Sequence, residues 1–141
     1  MEDIEFLKYI HEQAEMGVVT LCKMNELGLD EHIRLTLESQ ILDYKNVMCQ
    51  AKRKLELLGE EPKALNPIAT KSAVAMISMK TAVDKSDTHI AAMVLKGSMN
   101  GIIETTQKIN KADNVSDDAK NLGYKLLLSE ERNIEQMRRY L

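Results

Sequence analysis

Apolar positions along this chain recur at intervals of three and four and almost nowhere at two, which is the period of helices and not of strands. Leu7, Ile10, Ala14, Gly17, Val18 and Leu21 form a first stripe. With Gly28 as a stop and Glu2, Asp3 and Glu5 suited to the positive end, it predicts a helix over 2–27. Asp30 stands where an N-cap belongs, ahead of a second helix over 31–58. Its stripe of Leu37, Ile41, Tyr44, Met48, Ala51, Leu55 and Leu58 keeps an unbroken four-three spacing before Gly59. Asn66 as cap and Pro67 at the first helical position, where the missing N–H costs nothing, open a helix over 67–83. The segment "DKSD" then breaks the pattern, and Ser86 or Asp87 caps a helix over 87–111 with the stripe Thr88, Ala92, Leu95, Met99, Ile102, Thr106 and Ile109. After "NVSDDA", Ser116 caps a last helix over 117–141, striped by Gly123, Leu127, Glu130, Ile134, Met137 and Leu141.

Four long helices with a shorter one between the second and third define a topology. The middle helix, roughly 17 residues long, spans ~26 Å and can carry the chain back along a bundle ~35 to 40 Å in length. Two short connections and one long crossover give the up-down, crossover, down-up order of a ferritin-like four-helix bundle. The expected fold is all-α, with the whole chain, 1–141, as one domain.

The helix lengths, the "LGEEP" exit from the second helix and the segments "HIAAMVLKGSMNGIIETTQKI" and "LLLSEERNIEQMRRYL" resemble bacterial ferritin-like families of small four-helix proteins without assigned activity. The resemblance covers nearly the whole chain. It implies the fold, and it leaves the activity open because members with this fold keep or lose metal.

Composition narrows the function by exclusion. A chain of 141 residues with 29% charged and 44% apolar residues has the usage of a globular domain. The net charge of −3, with acids and bases interspersed, offers no field for nucleic acid or an anionic membrane. Lys52-Arg53-Lys54 and Arg138-Arg139 fall near helix C-termini, where cations complement the macrodipole. The acidic opening "MEDIEFLKYI" lacks the order of a secretory signal, and no apolar run reaches the ~20 residues of a membrane span, so a cytoplasmic location is expected. Cys22 and Cys49 have no CxxC spacing, and their levels on antiparallel neighbours would be ~20 Å apart, beyond disulfide reach.

A ferritin-like di-metal site needs a Glu from each of two helices and Glu-x-x-His from the other two. No ExxH occurs, and Glu38 and Glu104 lie off their stripes. Glu130 differs, since it sits at the centre of the last helix's stripe and should face the core. Counting from each connection places Tyr44 and Ser98 near its level, with Asn133 one turn away and His11 and Glu15 on the flank of the first helix. Three readings follow. Glu130 is a neutralised or hydrogen-bonded polar core residue with Tyr44, Ser98 and Asn133; or His11, Glu15 and Glu130 hold one metal ion, iron or manganese; or Glu130 is an acid–base catalyst. Ligand count favours the first.

Other features take structural readings. "HEQAE" falls short of the HExxH zinc motif at Glu15, and an i,i+4 His–Glu pair on a solvated face explains it. His32 and His89 are expected at the surface. Gly97 and Gly101 would let the crossover helix, with Ala69, Ala73, Met76 and Met79, approach closely. Among nine methionines, Met48, Met99 and Met137 fall on stripes and read as core filler. Leu35, Leu42 and Cys49, at seven-residue spacing off the main stripe, pack on the crossover helix or pair with a second copy. No phosphate loop, nucleophile elbow or triad is recognisable. The sequence therefore points to a non-enzymatic bundle acting through protein association, as a homodimer, with a metal-binding ferritin-like protein as the alternative.

Overall fold

A computed structural model describes residues 2–141 and contains five helices: α1 (Glu2–Asn25), α2 (Glu31–Leu57), α3 (Pro67–Val83), α4 (Asp87–Asn110) and α5 (Asp117–Arg138). Local chemistry explains most of the boundaries. Asn66 Oδ1 accepts from the N–H groups of Ile68 and Ala69, and Ser86 and Ser116 cap α4 and α5 in the same way through His89 and Ala119. Asp30 occupies the N-cap position of α2, yet its side chain makes no capping bond. Gly28 and Gly59, at φ 68° and 75°, supply the left-handed turns after α1 and α2. The last helix stops at Arg138, short of the expected 141.

Side-chain pairs fix the direction of each long helix. Along α2 and α5, Thr36 meets Tyr140, Gln40 meets Gln136, Gln50 meets Lys125 and Lys54 meets Asp118, an antiparallel ladder. Asp3 at the start of α1 accepts from both the N–H and the hydroxyl of Ser116, at 2.7 and 2.6 Å, so α1 and α5 start at the same end and run parallel. Lys108 lies 5.2 Å from the Tyr9 ring centroid, setting the far end of α4 beside the start of α1. Thus α1 and α5 point one way, α2 and α4 the other, with α3 carrying the chain back between α2 and α4.

The core runs the length of the four long helices and includes Phe6, Ile10, Ile33, Leu37, Leu55, Ile90, Leu122, Leu126 and Met137. Close approach depends on two glycines. A Cβ on Gly17 would sit 2.7 Å from the Tyr44 ring, and one on Gly123 would sit 2.9 Å from the Phe6 ring.

The α4 stripe is corrected by the structure. The helix buries Ile90, Ala91, Val94, Ser98, Thr105 and Ile109. The expected face, rotated from this by about one residue, leaves Met99 47% exposed, so Met99 is not core filler. Both stripes have helical spacing. The observed one packs against α5, where Gly101 makes room for the Glu130 carboxyl.

The crossover helix is also placed differently from one expectation. It packs on α1, burying only Ile77 and Thr81, and leaves Met76, Met79 and Val83 largely in solvent. Gly97 therefore does not receive it: a Cβ there would meet nothing within 4 Å. Gly101 does serve close approach, but by the carboxyl of Glu130 and not by a helix. Leu35, Leu42 and Cys49 lie on the outward face of α2, opposite Leu37, Tyr44 and Ala51, where α3 does not cover them.

Candidate functional site

The Glu130 side chain projects from the inner face of α5 and is 5% exposed. Tyr44, on the facing turn of antiparallel α2, donates its hydroxyl proton to Glu130 Oε1 at 2.7 Å. Asn133, one turn along α5, donates from Nδ2 to the Tyr44 oxygen at 3.1 Å. The phenol is thus both donor and acceptor, and the three groups form one chain through the middle of the bundle. Ser98, buried on α4, completes the set of four groups expected at this level.

Burial governs the electrostatics here. Desolvation raises the Glu130 pKa, while the hydrogen bond from Tyr44 and the nearby Ser98 hydroxyl, which makes no direct bond to the carboxyl, act in the opposite direction without overcoming it. The Tyr44 phenol is raised far above its ordinary range, first by burial and then by the adjacent carboxylate. No Lys, Arg or His forms an ion pair with Glu130 among the described residues. Its second oxygen, Oε2, is buried and has no hydrogen-bond partner in the protein. An unpaired acceptor in such a place is uncommon in folded chains and calls for a reason.

A groove supplies the context. Because α3 packs chiefly on α1, a space of about 770 Å³ opens between α1, α3 and α4 and reaches down to Glu130, Tyr44 and Ser98. Its walls are mainly apolar, with Met16 and Leu21 from α1, Met76 and Ile77 from α3, and Met93 from α4. Gly97 forms part of the α4 wall. Lys80, His89, Lys96 and Glu104 also line it.

The residues of the metal reading are not assembled. His11 is not on a solvated face as expected: it is 7% exposed. Burial lowers its pKa, with Glu15 opposing and Lys52 reinforcing that shift. Its Nδ1 lies 4.0 Å from Glu15 Oε2. Among the described residues no three His, Cys, Asp or Glu side chains are grouped to hold a metal ion. Glu130 has a phenol, an amide and a hydroxyl for neighbours, a donor set that does not fit the iron or manganese centre of a ferritin-like bundle. Zinc at "HEQAE" lacks a third ligand for the same reason. His32 is exposed as expected, whereas His89 is half-buried at the groove.

The groove itself was not legible in the sequence. Two signals pointed toward it: a GxxxG on α4, and a crossover helix apolar nearly all round. Together they suggest a helix contact, but the helix lies too far toward α1 to make it.

Two comparisons with known proteins, against family models and against curated sequences, find no match. A search of solved structures finds a DUF305 fragment from Deinococcus radiodurans, with a TM-score of 0.76 over 98% of this chain and 93% of that one, at 12% sequence identity. At that identity the likeness carries the all-helical fold alone. It relates this chain in shape to a domain-of-unknown-function family and does not carry the ferritin-like assignment. No helix among the described residues is long and apolar enough to cross a membrane.

Proposed function

We propose that this chain is a non-enzymatic, ferritin-like helical bundle that binds a small apolar molecule in the groove between α1, α3 and α4. One observation carries the reading: an apolar groove of about 770 Å³ reaches a buried carboxyl whose Oε2 has no hydrogen-bond partner among the described residues. Sites for small molecules have this composition, an apolar lining with a few convergent polar groups and a perturbed titratable residue. The helix directions in the bundle, with the crossover between α2 and α4, support the ferritin-like order. Binding is preferred to acid–base catalysis because among the described residues no imidazole hydrogen-bonds to the Glu130–Tyr44 pair.

Gly97→Leu tests the proposal. The new side chain enters the groove, where a Cβ meets nothing within 4 Å, and replacing a mid-helix glycine stabilises α4 by about 0.5–1 kcal/mol. An apolar fluorophore such as Nile red should bind the wild type with enhanced emission, and the variant should bind at least about ten-fold more weakly, a loss of ~1.4 kcal/mol. Equal emission from the two proteins would refute the groove as the site.

Association with a second copy is a separate reading, favoured by the outward stripe on α2, where Leu42 is 65% exposed and Leu35 and Cys49 are also in solvent. Two α2 helices paired antiparallel about Leu42 would set Leu35 of one copy against Cys49 of the other and Glu31 against Arg53, which makes the face self-complementary. Leu42→Glu should then convert a dimer to a monomer in sedimentation velocity while the helical circular dichroism stays unchanged. A wild type that sediments as a monomer at high micromolar concentration would end this reading.

A further inference from the structure

The Glu130 carboxyl narrows the chemical class of the ligand, an inference that rests on the groove being the binding site. The carboxyl group is pressed against the α4 backbone, with its carbon 3.1 Å and Oε2 3.3 Å from the position a Cβ on Gly101 would take. A larger residue there would force the carboxyl to give way by a few tenths of an ångström. Oε1 is committed to Tyr44, which leaves Oε2, buried and without a partner, as the one unfilled acceptor on the carboxyl.

The three cationic side chains of the groove, Lys80, His89 and Lys96, form no ion pair with Glu130. Lys80 and His89 lie toward the end where α3 joins α4, whereas Lys96, five residues before Gly101, is nearer to Glu130 yet makes no ion pair with it. Along α4, His89 is ~18 Å from the level of Gly101 at ~1.5 Å per residue. Glu104, a second carboxylate lining the groove, lies three residues beyond Gly101 on the other side. Glu130 and Glu104 together make this end of the groove acidic, and among the described residues no cation pairs with Glu130. A buried carboxylate in that setting is costly unless a cation with hydrogen-bond donors meets it.

We propose that the groove binds an apolar molecule carrying a primary amine, whose ammonium group donates to Glu130 Oε2 while its hydrocarbon body lies between Met16, Met76 and Met93. Methionine suits such a body because its unbranched thioether adapts to the shape it meets. Tyr44 and Asn133 hold the carboxyl in place for the contact, since Tyr44 fixes Oε1 and Asn133 fixes Tyr44. A neutral hydroxyl in place of the ammonium could form the same hydrogen bond but would leave the charge uncompensated, so the site should discriminate between amine and alcohol of equal length.

Isothermal titration calorimetry with n-octylamine and n-octanol at pH 7 tests this on the intact chain, with wild type, Glu130→Gln and Gly97→Leu. The expected result is at least about ten-fold tighter binding of the amine by wild type. Glu130→Gln should bring the two ligands level, and Gly97→Leu should weaken both. Equal affinities for amine and alcohol in wild type would overturn the amine assignment and leave the groove reading standing. If neither binds, the groove reading itself fails. An amine preference that persists undiminished in Glu130→Gln would move the recognition to Glu104 or the general surface and overturn the proposal as well. The wild-type comparison requires no variant to fold.

Discussion

Tyr44→Phe should lower the stability of this bundle by about 2–4 kcal/mol, although it removes a single oxygen. That oxygen donates to Glu130 Oε1 and accepts from Asn133 Nδ2. Removing it leaves two buried groups without partners, each costing ~1–3 kcal/mol when stranded away from water. The ring itself remains and still packs against Gly17, so little of the loss comes from packing. Urea denaturation followed by circular dichroism reads the effect as a lower midpoint with an unchanged slope. The network origin has its own signature. Adding Glu130→Met to Tyr44→Phe replaces one stranded group with an apolar side chain of similar length, and should recover about 1 kcal/mol or more. If instead the two substitutions simply add their losses, the chain from Asn133 through Tyr44 to Glu130 is not the unit described here.

The pH dependence of stability should have two limbs with different owners. Glu130 has its folded pKa raised by burial. Its contribution is complete below the ordinary carboxyl value and is lost as pH rises through the raised folded value, because the unfolded chain releases a proton that the fold retains. His11 behaves oppositely, since burial lowers its folded pKa. Its contribution is complete above the ordinary imidazole value and is lost as pH falls through the lowered one. Asp3, held down by its bonds to Ser116, adds a weaker loss on the acid side because it is largely solvated. Glu130→Gln should therefore flatten the limb on which stability falls with rising pH and leave the acid limb in place. At mildly acidic pH the variant should lie within about 1–2 kcal/mol of wild type. Melting temperatures across about pH 4 to pH 9 test this, and parallel profiles for the two proteins would show that Glu130 does not set that limb.

Much of this molecule was legible in the sequence. All five helices were placed to within a few residues because their ends are written in local chemistry, in Asn66-Pro67, Ser86, Ser116 and the two positive-φ glycines. The inward direction of Glu130 and its company with Tyr44, Ser98 and Asn133 could be read because each helix face is a matter of spacing and their common level a matter of counting. Those are properties of a single helix, or of two helices joined by a short turn.

What the tertiary structure decided concerns faces with two possible partners. On α4, two stripes of equal periodicity competed, and only the packing against α5 selected Ile90, Val94 and Ser98 over Ala92, Leu95 and Met99. His11 sits where α1 meets α2, and its burial depends on how far the two helices overlap, a distance no spacing rule contains. The groove depends on the lateral position of α3. A crossover helix apolar on most of its surface can dock in several places, and its burial of Ile77 and Thr81 against α1, away from Gly97, leaves the space above Glu130 open. Sequence alone determined which residues are helical and that one carboxyl points inward, because short-range sterics and hydrogen bonding fix both. That the carboxyl ends an open apolar groove was decided by long-range packing, where the gain from burying α3 on one neighbour was set against the loss of contact with another.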